Sequence, residues 1–197
     1  MPTLDLIMTG YTGSEEIKKM AEKAIKSIRD SEGSENFKII RSQIPENICL
    51  VAVSKTKPKE LILEAYNLGQ RHFGENKVQE LSEKASALPK DIQWHLIGHL
   101  QTNKVKYIAE FVHLIHAVDS LKLLQEINKQ ALKHNRVIAC LLQFYIADEE
   151  TKFGLSREEA KLLLSSESYS ALQNIKIIGV MGMASFVDDT NQIRNEF

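Results

Sequence analysis

A regular alternation between short apolar runs and amphipathic segments constrains the fold of this chain most strongly. Six apolar runs carry the pattern, at residues 48–55, 71–76, 92–100, 112–119, 137–146 and 175–183. Near-continuous apolarity predicts strands that are covered on both faces, as in the parallel sheets of α/β proteins. About six strand-helix units in succession favour a parallel (β/α) barrel over a doubly wound sheet, although the periodicity alone fits both.

The segments between the runs carry the usual signals of helix boundaries. Pro58 suits the first turn of a helix that stops at Gly69, and Ser120 is a capping residue for a later helix. Ser156 is followed three residues later by Glu159, which is the pattern of a capping box. Helices are therefore expected directly after the strands, in the order that parallel strands require.

Composition excludes several classes of protein. The 197 residues are 43% hydrophobic, enough for a sizeable core, and the net charge of −1 predicts no nucleic-acid or acidic-membrane partner. No stretch approaches the roughly 18 apolar residues of a membrane span. Cys49 and Cys140 lie inside apolar runs and lack the spacing of a redox or zinc motif, so they are predicted to be buried thiols in a reducing cytoplasm.

Polar residues cluster where the predicted strands end. In both candidate architectures, ligands bind at the carboxyl ends of the strands. The polar residues at these positions are Lys55, Glu75, Asn76, His99, Gln101 to Asn103 and Asp119, with a "GMAS" turn after Met181. The sequence therefore predicts a ligand site at this edge.

Lys55 ends an apolar strand, where a charged ammonium is costly to bury. Partial burial lowers the pKa of a lysine amine and favours the nucleophilic form, which suits a Schiff base with a carbonyl compound. On spacing alone, a solvated loop lysine is an equally good interpretation. Lys57 and Lys59 are poorer candidates, because one precedes Pro58 and the other lies in an exposed first turn.

Six motifs occur together in one order, "LVAVSKTKP", "GQRHFGENKVQE", "WHLIGHLQTNK", "HAVDS", "EETKFGLSREEA" and "GVMGMASF". Their order and spacing make residues 36–197 similar to the pyridoxal phosphate homeostasis proteins, the YggS or proline synthetase co-transcribed family. The resemblance implies a barrel like that of the alanine racemase N-terminal domain, with pyridoxal 5'-phosphate (PLP) held as a lysine imine. It implies that Lys55 of "AVSK" forms the imine and that Asn76 of "FGEN" lies by the cofactor's phenolic oxygen. Without the resemblance, Asn76 is better interpreted as a helix cap.

The resemblance implies a carrier that buffers PLP or delivers it to PLP-dependent apo-enzymes, with no turnover of its own. Racemisation needs an acid or base placed against the substrate's α-carbon, and a racemase takes one from a further domain for which this chain has no room. We therefore expect a monomeric, cytoplasmic, non-enzymatic protein. Two alternatives stay open: a racemase-like enzyme or Schiff-base lyase on the same barrel, and a pure interaction module in which Lys55 is dispensable.

The histidine spacing does not favour a metal site. His95 and His99 are four residues apart, which in an extended run is about 13 Å. His113 and His116 are expected on opposite faces of a strand. We expect no metal, and we expect Trp94 in the core because it lies in an apolar run.

Both ends of the chain depart from the family pattern. Residues 1–35 are predicted to form an extra strand-helix unit of uncertain origin, which could pair beside the first strand of the partial barrel, residues 36–197. Its turn "TGYTGSEE" loosely resembles the phosphate loop of flavodoxins, with Thr9, Thr12 and Ser14 as hydroxyls, although a simple turn with a Ser14 cap is the better interpretation.

At the other end, "NQIRNEF" falls in the helix predicted after the sixth strand of the barrel. The resemblance implies two more strand-helix units, which hold the cofactor phosphate in the family. Without them we expect PLP to bind much more weakly, unless "TGYTGSEE" supplies a substitute anion site.

Overall fold

A computed structural model describes residues 6–9, 33–146, 154–185 and 187–197 of the chain. The strands in these ranges are β1 (Leu6–Thr9), β2 (Cys49–Val53), β3 (His72–Glu75), β4 (Gln93–Leu96), β5 (Leu114–Val118), β6 (Ile138–Tyr145) and β7 (Ile175–Met183). The helices are α1 (Gly33–Gln43), α2 (Lys59–Asn67), α3 (Val78–Ala87), α4 (Leu121–Lys133), α5 (Arg157–Leu164), α6 (Glu167–Ser170) and α7 (Thr190–Glu196), with a 3₁₀ helix at Thr102–Tyr107. All six predicted apolar runs contain a strand, which confirms the strand-helix alternation.

The chain divides into two compact units. The first comprises Met1–Glu75 and Glu83–His95, and the second comprises Asn76–Ser82 and Leu96–Phe197. In the first unit the strands lie side by side in the order β1-β2-β3-β4, and β2 pairs parallel with β3. In the second unit β5, β6 and β7 are neighbours in that order, and both pairs are parallel.

β1 lies beside β2, as expected of the N-terminal segment, and it runs antiparallel to β2 with Leu6 opposite Ala52. The pairs β2–β3, β5–β6 and β6–β7 are parallel, so the direction of β1 differs from that of the strand beside it. The predicted N-terminal helix and the turn residues Thr12 and Ser14 lie outside the described residues.

Most of the predicted helix boundaries are confirmed. The Ser120 hydroxyl accepts from the N–H of Leu123, and Ser156 and Glu159 form the reciprocal bonds of a capping box. Pro58 differs by one position, because it is the residue before the first helical turn of α2 and has extended backbone. Gly69 has a φ of 98°, a left-handed conformation that glycine adopts without the penalty of a Cβ.

Each unit has its own apolar core. In the first, Ile40 of α1 packs with Leu50 of β2, and Phe37 and Ile44 cover this pair. In the second, every residue of β5 is buried, and α4 buries one face along its length. The parallel strands therefore alternate with helices that cover them, which fixes the strand ends where polar side chains emerge.

The cysteine prediction is half right. Cys140 is fully buried in β6, and burial raises the pKa of its thiol to about 12. Cys49 is only partly buried, because it is the first residue of β2 and lines a cleft of about 440 Å³ together with Arg41 and Arg71. Trp94 is 2% exposed, which confirms its place in the core. Among the described residues, no helix has both the length and the apolarity that crossing a membrane requires.

Candidate functional site

Lys55 lies in a tight turn at the carboxyl end of β2, where the sequence predicts it. The N–H of Lys57 donates to the carbonyl oxygen of Ser54 at 3.0 Å and closes the turn around Lys55 and Thr56. Lys55 itself is partly buried, whereas Ser54 before it is 4% exposed. The turn therefore anchors one end of the lysine in the protein while part of its side chain remains accessible.

Thr56 holds an unusual backbone conformation next to Lys55. Its φ of 62° lies in the left-handed region, where a β-branched residue is a genuine outlier. Such a conformation costs on the order of 1–3 kcal/mol and persists only when surrounding contacts hold it. The turn that carries Lys55 must therefore be fixed by its neighbours.

Ser54 is the residue through which the turn is fixed. Its N–H donates to the carbonyl oxygen of Gly74 at 2.9 Å, which continues the pairing of β2 with β3. Its hydroxyl donates to Oε1 of Glu75 at 2.6 Å. The Nζ of Lys84 donates both to the carbonyl oxygen of Ser54, at 2.7 Å, and to Oε1 of Glu75, at 2.8 Å.

The Lys84–Glu75 ion pair is almost completely removed from water. The side chains are 5% and 0% exposed, respectively. Burying two charges is costly, and the attraction between them offsets that cost only where further hydrogen bonds support the groups. Ser54 supplies two such bonds, one to Oε1 of Glu75 and one to Nζ of Lys84. Removing one partner of such a pair costs about 3–5 kcal/mol, because the other charge is then buried without compensation.

Asn76 lies in the second unit, directly after β3, and is exposed. Gly98, just after β4, lies against its main chain: a Cβ at position 98 would come within 2.5 Å of the Asn76 carbonyl oxygen and 2.9 Å of its Cα. Contacts this short do not occur for a real Cβ, so glycine is required at position 98. This close approach fixes the backbone from which the Asn76 side chain extends.

His99 and Asp119, two more of the polar residues predicted at strand ends, lie together in the second unit. The Nδ1 of His99 is 3.5 Å from Oδ2 of Asp119, and their side chains are 46% and 19% exposed. One residue follows β4 and the other follows β5. The prediction that polar residues at these strand ends lie close to one another is confirmed for this pair.

Two histidines that sequence reasoning did not pair meet in the first unit. The Nδ1 of His72 is 3.0 Å from Nε2 of His95, so one ring donates a hydrogen bond to the other. They lie on β3 and β4, two strands that follow one another in the sequence, and this succession could have predicted that the two rings are neighbours. His95 is 2% exposed, so this bond satisfies a buried polar ring.

His113 and His116, which the sequence predicts on opposite faces of a strand, belong to the second unit. His113 is exposed and precedes β5, whereas His116 in β5 is 1% exposed. Burial, with a smaller contribution from His113, lowers the pKa of His116 to about 4. His116 is therefore neutral at neutral pH.

Comparison with protein families and curated proteins places the chain among known sequences. The family model described as alanine racemase, N-terminal domain, matches residues 30–197. A pyridoxal phosphate homeostasis protein of Aquifex aeolicus is 42% identical over 149 residues, which are 75% of this chain and 64% of that protein. The human pyridoxal phosphate homeostasis protein is 39% identical over 152 residues, covering 73% of this chain and 55% of its own length. The chain thus spans less than two thirds of the length of these relatives.

Comparison with solved structures finds two kinds of similar protein, a PipY protein and alanine racemases. PipY of Synechococcus elongatus, determined without PLP, is 34% identical with a TM-score of 0.75, and the match covers 84% of this chain and 80% of PipY. PipY with PLP bound has a TM-score of 0.70. Alanine racemase from Streptomyces lavendulae is 16% identical with a TM-score of 0.60, and the match covers 74% of this chain and 39% of the racemase, so this likeness shows the fold alone. The prediction of an incomplete (β/α) barrel like that of the alanine racemase N-terminal domain is confirmed.

Proposed function

Because the chain belongs to the family of pyridoxal phosphate homeostasis proteins, we propose that it binds PLP covalently through Lys55 and acts as a carrier of the cofactor. The position of Lys55 carries the proposal. It lies at the carboxyl end of a parallel strand, where ligands bind in this class of fold, and its side chain is only partly buried. A relative with the same fold, PipY, has been determined with PLP bound.

The residues around Lys55 fit a covalently held aldehyde cofactor. When bound, PLP supplies an aldehyde that condenses reversibly with a primary amine and releases water. Lys55 supplies the amine, and the turn closed by the Ser54–Lys57 hydrogen bond limits the region in which that amine moves. Lys57 is the last residue of the turn and Lys59 is the first residue of α2, so neither lies directly at the strand end.

Asn76 is proposed as a second cofactor-binding residue. The resemblance of "FGEN" to the family motif implies this role, and the Asn76 carboxamide has a donor that suits the phenolic oxygen of the cofactor. The contact of Gly98 with the Asn76 main chain supports the assignment, because it fixes the backbone at that residue.

We propose that the chain turns over no amino acid. A racemase or a lyase must place a proton donor or acceptor against the substrate's α-carbon, whereas storage and release need only reversible exchange of the Lys55 amine for another amine. The curated relatives are named for PLP homeostasis, in agreement with a carrier. Buffering and delivery to PLP-dependent apo-enzymes would follow from this exchange.

A PLP-dependent enzyme is the second candidate, and one observation favours it. The His99–Asp119 pair, whose residues follow β4 and β5, couples a half-exposed imidazole to a carboxylate, an arrangement that also occurs in general bases. An enzyme of the racemase or lyase type would use such an imidazole to remove a proton. The carrier and the enzyme therefore differ in whether amino acids turn over.

Reductive trapping tests the assignment of Lys55. The protein is incubated with PLP, reduced with borohydride and digested, and fragment ions locate the cofactor among Lys55, Lys57 and Lys59. We expect the label on Lys55 in the wild type and its loss in Lys55→Arg, with Lys57→Arg as the matched control that keeps it. Labelling on Lys57, on Lys59 or equally on many lysines would contradict the proposal.

A further inference from the structure

We propose that the buried pair Lys84–Glu75 is a positioning device for Lys55. It acts by holding Ser54, and so sets the turn that presents the Lys55 amine. This inference rests on the proposed role of Lys55 in binding PLP. In this proposal Lys84 and Glu75 act through Ser54 and do not touch the cofactor themselves.

The hydrogen bonds of Ser54 carry the inference. The carbonyl oxygen of Ser54 belongs to the peptide bond that joins it to Lys55, and it accepts from both Lys57 N–H, at 3.0 Å, and Lys84 Nζ, at 2.7 Å. The hydroxyl of Ser54 donates to Glu75 at 2.6 Å. The hydroxyl and the carbonyl oxygen of Ser54 are thus both hydrogen-bonded to the ion pair, while its N–H pairs with β3.

The cost of the pair indicates a role beyond stability. A buried ion pair is often no more stabilising than apolar side chains of similar volume, because each ion must first be removed from water. The Lys84 and Glu75 side chains are 5% and 0% exposed, so nearly all of that cost applies. If the pair served stability alone, leucine at position 75 and methionine at position 84 would therefore serve equally well.

The strained residue beside Lys55 shows what the pair provides. Thr56 occupies the left-handed region at φ 62°, a conformation that relaxes unless neighbouring contacts prevent it. Lys84 lies on helix α3 and Glu75 at the end of β3, so the pair ties the turn to two elements of regular structure. Loss of both charged groups would leave the Ser54 carbonyl with its bond to Lys57 N–H alone and allow the turn to relax.

The test replaces the pair as a unit. The double variant Glu75→Leu/Lys84→Met removes both charges together, so no uncompensated buried charge remains, and it is expected to fold with a melting temperature close to that of the wild type. The matched control is Lys90→Met, since Lys90 also donates to backbone carbonyls, those of Ala85 and Ser86, but does not contact the turn.

Two readouts are measured on each protein. The first is the rate of PLP trapping on Lys55 by borohydride, located by fragment ions, which we expect to fall about tenfold in the double variant, as a shift of 1.4 kcal/mol would give. The second is hydrogen exchange of the Lys57 amide without PLP, which we expect to accelerate by a similar factor as the Ser54–Lys57 bond opens. The Lys90 control should change neither.

The outcomes separate the inference from the proposed function. The inference would be overturned if the folded double variant traps PLP on Lys55, and exchanges the Lys57 amide hydrogen, at the same rates as the wild type. If the wild type itself takes no label at Lys55, the proposed function fails, and Lys57 exchange alone decides whether the pair fixes the turn. Should the double variant fail to fold, Ser54→Ala takes its place: it removes one bond to the pair and keeps both charges, and unchanged trapping and exchange there would overturn the inference equally.

Discussion

The residues proposed to position Lys55 are distant from it in the sequence, so the sequence around Lys55 does not reveal them. Lys84 lies 29 positions later, on a helix where lysines usually face solvent, and nothing in its spacing distinguishes it from Lys77 or Lys90. The structure brings it to the Ser54 carbonyl and Glu75. The place of Lys55 after a strand could be predicted, because the apolar run ends there. The pair behind it could not, because it exists only once the helix packs on the strands.

Gly98→Ala tests whether close packing positions Asn76. The added Cβ would meet the Asn76 carbonyl oxygen at 2.5 Å, so the main chain must shift, and we expect the free energy of unfolding to fall by about 1–3 kcal/mol or more. PLP binding should weaken as well, because Asn76 moves. Urea unfolding and a PLP titration measure the two effects.

Gly69→Ala is the matched control for this change. It places alanine at a φ of 98° where nothing lies within 4 Å of the new Cβ, so it costs backbone strain without a collision. Its cost should be about 1–2 kcal/mol, the ordinary penalty of a left-handed alanine, with PLP binding unchanged. Equal effects of the two substitutions on PLP binding would show that the Gly98 contact has no special role.

At the level of the elements, sequence reasoning succeeded where local chemistry decides the structure. The Ser120 cap and the Ser156–Glu159 capping box formed as predicted, since both involve residues only three positions apart. The antiparallel direction of β1 and the His72–His95 bond depend on which strands become neighbours. Such contacts follow from the tertiary fold, and apolar periodicity carries no information about them.

The buried strand β5 makes stability depend on pH. His116 has a pKa of about 4 in the folded protein, chiefly because of burial, against about 6.5 for an unfolded histidine. The unfolded chain therefore binds the proton more tightly, so this contribution to stability is complete above pH 6.5 and is lost as the pH falls towards 4. The loss amounts to about 3 kcal/mol at pH 4.

His116→Gln should remove this dependence. The variant is expected to be less stable than the wild type at neutral pH, with a flatter profile of unfolding free energy between pH 6.5 and 4. Urea unfolding at several pH values gives both profiles, and His113→Gln, a change at an exposed position, is the control that should keep most of the slope. Parallel profiles for the wild type and His116→Gln would show that another group is responsible.

At the scale of the whole molecule, the carrier proposal concerns a chain that covers only part of its relatives. The match covers 64% of the Aquifex aeolicus protein and 80% of PipY. The order of strands and helices could be predicted because six apolar runs and the segments between them repeat one pattern. The choice of a barrel over a doubly wound sheet rests on the family motifs, because the periodicity fits both. Function could be predicted only through the family motifs, since the spacing of Lys55 alone fits a solvated loop equally well.

The carrier proposal is tested most directly on protein that has been incubated with PLP and then separated from unbound cofactor by gel filtration. The visible absorbance of the protein fraction reports lysine-bound PLP, and chiral chromatography after the addition of L-alanine reports any D-alanine. We expect absorbance that is present in the wild type and absent in Lys55→Arg, with no more D-alanine than free PLP produces. No bound PLP in the wild type, or D-alanine above that background that disappears in Lys55→Arg, would contradict the proposal that this chain holds PLP on Lys55 and does not turn over amino acids.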